Sequence, residues 1–166
     1  MPRRTGFRIP GLRTWVDNIK NEVSKEAAEQ IVQDLQILGP YWTGTFANSW
    51  VIRSGDVRIN ATTPQSGRRV ITPDARSYKP VIAPEPKGRG NIYYTIGNTT
   101  DYRDIALDLD PRNVRWRGAE PPNTAPQDWY RGYLESGNLR ETLKQVTGRV
   151  AQYGKIRGFR ARETQP

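Results

Sequence analysis

Asp101, Asp104, Asp108 and Asp110 form the densest carboxylate group in the chain. Steps of three and four place Asp101, Asp104 and Asp108 on neighbouring turns of one helical face. There, hard carboxylate oxygens could gather a Mg²⁺ ion for phosphodiester cleavage. A solvated helix start, whose dipole favours negative charge, accounts for the same residues without any chemistry. No basic catalytic partner accompanies them at a recognisable spacing. The chain also contains no histidine and no cysteine. Their absence removes the usual neutral-pH acid–base group, the imidazole-dependent triads, thiolate metal ligands and disulfides. Catalysis by carboxylates alone remains open, but the solvated helix face is the preferred reading, so no catalytic residue, metal or cofactor is assigned.

The basic residues are the other candidates. Formal net charge is +9, and it is unevenly placed. Residues 1–13 carry +4, 67–90 carry +4 and 152–166 carry +3, whereas 14–66 carry −2 and 91–151 are neutral. The excess thus lies at both termini and in one proline-rich stretch, and such segments favour nucleic acid or acidic protein surfaces. The candidate subunit or partner contacts are Arg3, Arg4 and Arg8 at the start and Lys155, Arg157 and Arg160 at the end. Arg68, Arg69, Arg76, Lys79, Lys87 and Arg89 belong to the proline-rich stretch. Arg115, Trp116 and Arg117 complete the set: a tryptophan flanked by arginines can stack on a base and serves equally well as an interface anchor, which is the preferred reading. Gly88-Arg89-Gly90 and Gly6-Phe7-Arg8 do not follow a strand and open a helix, as a phosphate-cradling loop requires.

The elements that position these residues follow from periodicity. Leu12, Trp15, Val16, Ile19, Val23, Ala27, Ile31, Leu35 and Leu38 recur every three or four positions and predict an amphipathic helix, with Lys20, Glu22, Lys25, Glu26, Glu29 and Asp34 on the other face. Gly39-Pro40 predicts its cap and its end. Alternation over 50–53 and 57–59 around Ser54-Gly55-Asp56 predicts a hairpin. Residues 61–90 read as an extended basic arm with one short strand at 80–83, and 91–97 read as a strand bearing Ile92, Tyr94 and Ile96 on one face. Thr100 is placed to cap a short helix with a Tyr102, Ile105, Ala106 and Leu109 stripe, stopped by Pro111. Pro126 marks the next helix start, with Trp129, Tyr130, Tyr133 and Leu134 on its apolar face. After Gly137, Asn138 and Glu141 form a capping pair for a last helix carrying Leu139, Leu143, Val146 and Val150. From residue 152 the periodicity fades into a basic tail.

With 166 residues, 35% hydrophobic and mean hydropathy −0.80, the chain predicts one compact domain around a small core. The expected divisions are a basic arm at 1–11, a single α+β domain at 12–151 with its basic insertion at 61–90, and a basic tail at 152–166. No apolar run is long enough for a signal sequence or a membrane span, so the expectation is a soluble protein, intracellular when made. With 15 glycines and 13 prolines concentrated outside the periodic segments, its loops and arms are expected to become ordered against neighbouring subunits.

One run is more distinctive than the rest. Pro40, then Thr43-Gly44, Phe46 and Ser49-Trp50 close the long helix and lead into the first β-pattern. Gly44 suits a tight reversal, Thr43 can bind a nearby backbone group, and Phe46 with Trp50 can close the core at that corner. Together with Asn98 shortly before Tyr102, a short helix and a C-terminal helix, this order resembles the neck and tail-completion proteins of tailed bacteriophages over most of residues 12–151. The resemblance implies an α+β fold: a small, mostly antiparallel sheet packed by the long first helix and the C-terminal helical region. It further implies a structural protein and not an enzyme: a homo-oligomeric ring of the virion neck, of six copies or alternatively twelve, joining the head-side connector to the tail and completing the tail end, with DNA passing through its bore. The implied partners are the adjacent neck, connector and tail-tube proteins, with possible non-specific DNA contact and no membrane. The implied location is the virion, with assembly in the host cytoplasm. The long insertion at 61–90 and the proline-rich connection near 111–126 depart from that pattern. The alternative reading is a sequence-independent nucleic-acid-binding protein.

Overall fold

The computed structural model describes residues 12–41, 43–64, 76–85, 92–108, 125–126 and 128–158, with the backbone alone at 12, 108 and 153–158. Its architecture is α+β. Helix α1 spans Leu12–Leu38, strand β1 Trp50–Ser54, strand β2 Tyr94–Asn98, and helices α2, α3 and α4 span Arg103–Asp108, Trp129–Glu135 and Asn138–Gly158.

Helix α1 has the extent that its apolar period predicts. Its burial is shifted from the expected stripe: Ala28, Val32 and Gln36 are buried beside Ala27 and Leu35, while Leu38 stands at the exposed end. Gly39 does end the helix, its N–H donating to the Leu35 carbonyl at 3.1 Å. It does so without a left-handed cap; the need for glycine here is proximity. A Cβ on Gly39 would lie 2.7 Å from the Leu35 carbonyl oxygen and 3.0 Å from the Trp129 ring.

Strands β1 and β2 form an antiparallel pair in which Ile52 faces Ile96 and Trp50 faces Asn98. The expected hairpin with residues 57–59 does not form. The turn at Gly55 exists, with φ +94° and its N–H bonded to the Tyr93 carbonyl at 2.7 Å, but the chain then leaves the sheet edge. The reason is the longer and better-matched ladder that β2 offers: five paired residues, with the apolar Ile52–Ile96 pair turned to the core. Residues 57–63 cover the other face instead. Val57 N–H donates to Thr95 Oγ1 at 3.2 Å, Ile59 lies over Gly97, and Thr63 Oγ1 meets Thr99 Oγ1 at 2.8 Å.

The main core is a cross-weave of aromatic and small residues. Val32 and Leu35 of α1 meet Phe46, Trp50, Ile52, Ala83, Ala106, Trp129 and Tyr133. Phe46 contacts Trp50 and Trp129 edge-to-face, at centroid distances of 5.7 and 6.3 Å. A second, smaller cluster of Ala27, Val146 and Val150, flanked by Ile19 and Val23, joins α1 to α4.

Four further expectations are corrected. Ile105 is 45% exposed, so the inner side of α2 is Ala106 with Tyr102 and Leu107; Thr100 is buried and its hydroxyl donates to Asn98 Oδ1 at 2.8 Å. Glu141 does not reach back to Asn138: its backbone N–H bonds to the Gly137 carbonyl at 2.9 Å, and its carboxylate receives Gln145 and Lys144. Helix α4 runs on to Gly158, past the point where side-chain periodicity fades. Leu109, Pro111, Pro121 and Pro122 lie outside the described residues.

Candidate functional site

The turn between α1 and β1 is the organising corner. Thr43 Oγ1 accepts the Thr45 N–H at 3.3 Å, and Gly44 takes φ +81°, which its glycine tolerates. A Cβ there would sit 2.7 Å from the Tyr41 hydroxyl. Ser49 Oγ donates to the Thr45 carbonyl at 2.6 Å and closes the turn. Pro40 leads in, half-buried, while Phe46 and Trp50 point into the main core. The six signature residues therefore act on one corner, in the structural roles that their types suggest. Trp42 lies outside the described residues.

Asn98 fastens this corner to the sheet. Its Nδ2 donates to the Phe46 carbonyl at 2.8 Å, and its Oδ1 accepts the Thr100 N–H at 3.0 Å and hydroxyl at 2.8 Å. Arg103 extends the link by donating to the carbonyls of Ile59 and Asn98 at 2.8 and 3.1 Å. A buried carboxamide that satisfies three backbone or hydroxyl groups fixes one arrangement, since any shift leaves a polar group unpaired.

Residues 76–85 run along α1 as a strap, in the direction opposite to the helix. Tyr41 and Asn48 hold Ser77; Asn48 Oδ1 accepts the Lys79 N–H at 2.7 Å. Gln36 Nε2 donates to the carbonyls of Lys79 and Ala47, both at 2.9 Å, and Glu29 Oε1 accepts the Ala83 N–H at 2.9 Å. Lys25 pairs with Glu85, a contact that raises the lysine pKa chiefly through its hydrogen bond to the carboxylate. Tyr94 closes the far side by donating to the Pro84 carbonyl at 2.9 Å. Gln36, Glu29 and Lys25 lie on one helical face, so that face is a docking surface and not the solvated one that its polarity predicts. Gln36 is 3% exposed; its sole sequence signal is the four-residue step from Val32. The short strand expected at 80–83 is absent, because Pro80 and Pro84 each lack an N–H for a ladder.

Of the basic candidates, Arg76 turns inward over the Tyr41 ring, its guanidinium 5.8 Å from the centroid. Lys79 is exposed and contributes its backbone to the strap's docking. Lys155 and Arg157 sit on the last turns of α4. Arg3, Arg4, Arg8, Arg68, Arg69, Lys87, Arg89, Arg115, Trp116, Arg117 and Arg160 lie outside the described residues, as do both glycine-arginine fragments. Of the aspartate group, Asp104 and Asp108 lie on α2, one turn apart. Asp101 precedes the six-residue α2, Asp104 is exposed beside Arg103 at 3.7 Å, and Asp110 lies outside the described residues. Among the described residues no group of three or more histidine, cysteine or carboxylate side chains could hold a metal ion.

Asp34 joins three helices. Its Oδ2 accepts the Tyr133 hydroxyl at 3.0 Å and Thr142 Oγ1 at 2.7 Å, and its Oδ1 accepts Gln30 Nε2 at 3.1 Å. Burial, with the neighbouring carboxylate, pushes the Tyr133 hydroxyl up to about 12. A cleft of about 290 Å³ opens beside this cluster, bordered by the exposed Ile37 and Leu38. Another, of about 500 Å³, lies between the strap and α1 and is lined by Glu26, Glu29, Gln33, Val81, Ile82 and Arg149.

Compared with protein-family models, curated proteins and solved structures, the chain shows no significant match. Among the described residues no helix is long and apolar enough to cross a membrane.

Proposed function

We propose that this protein is a structural subunit of a phage virion neck, forming a homo-oligomeric ring between the head-side connector and the tail. Six copies are the preferred number and twelve the alternative. The observation that carries the reading is the corner itself: Thr43, Gly44, Phe46, Ser49 and Trp50 converge there, and Asn98 binds it to the sheet at 2.8 Å. The order of parts around it supports the same reading: a long helix, the corner, an antiparallel pair, a short helix and a C-terminal helix. These residues build a rigid scaffold whose polar groups serve folding and docking.

The ring would leave the genomic DNA free to pass through its bore, and the basic termini would meet acidic faces of adjoining neck and tail proteins. Gel filtration with light scattering tests this directly. A ring-sized species formed without DNA, and persisting in high salt, is the expected result. A monomer that binds DNA with a steep salt dependence would overturn the reading in favour of a sequence-independent nucleic-acid-binding module.

A further inference from the structure

We infer that the open groove along the outer side of α1 receives helix α4 of a second copy of this chain. The inference rests on the ring reading above, and it names the two surfaces that meet when one subunit follows the next.

The groove follows from which sides of α1 are already taken. Lys25, Glu29 and Gln36 face the strap, whereas Ala27 and Asp34 face α4. Glu26, Gln30, Gln33 and Ile37 recur at steps of four, three and four along the strip between those two sides. Gln33 is exposed and Ile37 is 50% exposed. The strap forms one wall, where Ile82 stands 76% exposed. Helix α4 forms the other and runs antiparallel to α1, since Glu26 meets Arg149 while Asp34 meets Thr142. The clefts of about 500 and 290 Å³ are the two ends of this groove. Among the described residues, their linings hold the carboxylates of Glu26, Glu29, Asp34 and Glu141 against one cation, Arg149. A helix-lined acidic groove edged by Ile37, Leu38 and Ile82 fits a basic helix that also carries an apolar side chain.

The chain itself presents such a helix. Five basic residues and one acidic residue lie in α4, whereas α1 has three basic and five acidic. Arg140, Leu143, Thr147 and Ala151 recur at steps of three, four and four, on the side of α4 turned away from Gln145 and Arg149. All four are exposed, Leu143 by 41%, and the exposed Lys144 flanks them. Val146 and Val150 fix the helix against α1 while this side stays open. Leu143 and the aliphatic stems of Arg140 and Lys144 match the apolar edges of the groove, and the two cations match its carboxylates. Because groove and basic stripe lie on opposite sides of α4, the contact is head-to-tail. Each subunit keeps one free groove and one free stripe, and repetition of the contact closes a ring.

Paired blocking variants test this by gel filtration with light scattering. Gln33→Lys/Ile37→Lys closes the groove, and Arg140→Glu/Lys144→Glu reverses the stripe; all four positions are exposed. Each variant alone is expected to stay monomeric. Mixed in equal amounts, the two should give a two-subunit species and nothing larger, because one intact groove then meets one intact stripe and both outer surfaces are blocked. A ring that survives either pair of substitutions overturns the docking and leaves the ring reading standing, as do two folded monomers that fail to combine. A parent chain that forms no ring overturns both, and if it binds duplex DNA and loses that binding in Arg140→Glu/Lys144→Glu, the stripe is a nucleic-acid surface instead. Should either variant lack a cooperative urea transition, Ile82→Lys replaces the groove pair and Leu143→Glu the stripe pair.

Discussion

The two halves of α1 share one apolar period but not one environment. From Ala28 to Gln36 the helix packs against the corner, the sheet, α3 and the strap, and even its polar Gln36 and Asp34 are bonded. From Leu12 to Glu26 its neighbour among the helices is the far end of α4, where Ile19 and Val23 are half-buried against Val146 and Val150. Arg149 meets Glu26 at 3.3 Å across this pair. Sequence period fixes that a helix forms and roughly which side is apolar. What the apolar side meets, and so how strongly it contributes, is decided by the remainder of the chain.

The largest expected effect lies in the enclosed half's partner. Trp129→Ala removes a ring 5% exposed that packs on Gly39 and Phe46 and donates to the Ala106 carbonyl at 2.9 Å. Urea unfolding should show a loss of about 3–5 kcal/mol, and a loss under about 1 kcal/mol would mean that this core is not packed as described. Next, Gln36→Leu should cost about 1–3 kcal/mol, because the carbonyls of Ala47 and Lys79 lose their donor. Faster amide exchange at Lys79 and Ala83 would show that the strap loosens with it.

The same substitution in both halves sharpens the contrast. Val32, 1% exposed, loses about 2 kcal/mol on replacement by alanine, from transfer and cavity terms partly offset by alanine's better helix propensity. Val23→Ala, at a half-buried site, should change stability by less than about 0.5 kcal/mol, since the two terms nearly cancel. Equal losses from the two variants would erase the distinction between the halves.

A pH prediction follows from the three-helix junction. Tyr133 titrates near 12 in the folded chain and near its ordinary value when unfolded. Its contribution is fully present below about pH 10 and is lost as pH rises toward 12, because the unfolded chain releases the proton first. Tyr94 and Tyr102 are also raised, mainly by burial, and add to the same slope. Tyr133→Phe should therefore flatten the fall of stability between about pH 10 and 12 without abolishing it; an unchanged slope would remove Tyr133 from the account. The smallest effect belongs to Lys25 and Glu85, whose side chains are 29% and 80% exposed. Glu85→Gln should shift the urea midpoint by an amount corresponding to under about 1 kcal/mol.

Local signals made several elements legible. The 3.6-residue period and Gly39-Pro40 bounded α1, Thr43-Gly44 announced a reversal, and alternation through Tyr94 and Ile96 marked β2. Each is a property of a short stretch, so the residues involved carry the information themselves. The corner residues were legible for the same reason. Gln36 was not, since a glutamine on a helix shows nothing of the two carbonyls it will meet.

By itself, then, the amino-acid order determined the extent of α1, that the turn after it is tight, and that histidine and cysteine chemistry is absent from this chain. Only the tertiary structure decided that β1 pairs with β2 and not with 57–59, that 76–85 lies against Gln36 and Glu29, and that Asp34 ties α1 to α3 and α4. Those outcomes are competitions between partners distant in sequence, settled by which arrangement buries apolar surface while leaving the fewest polar groups unpaired. Such a competition has no local signature.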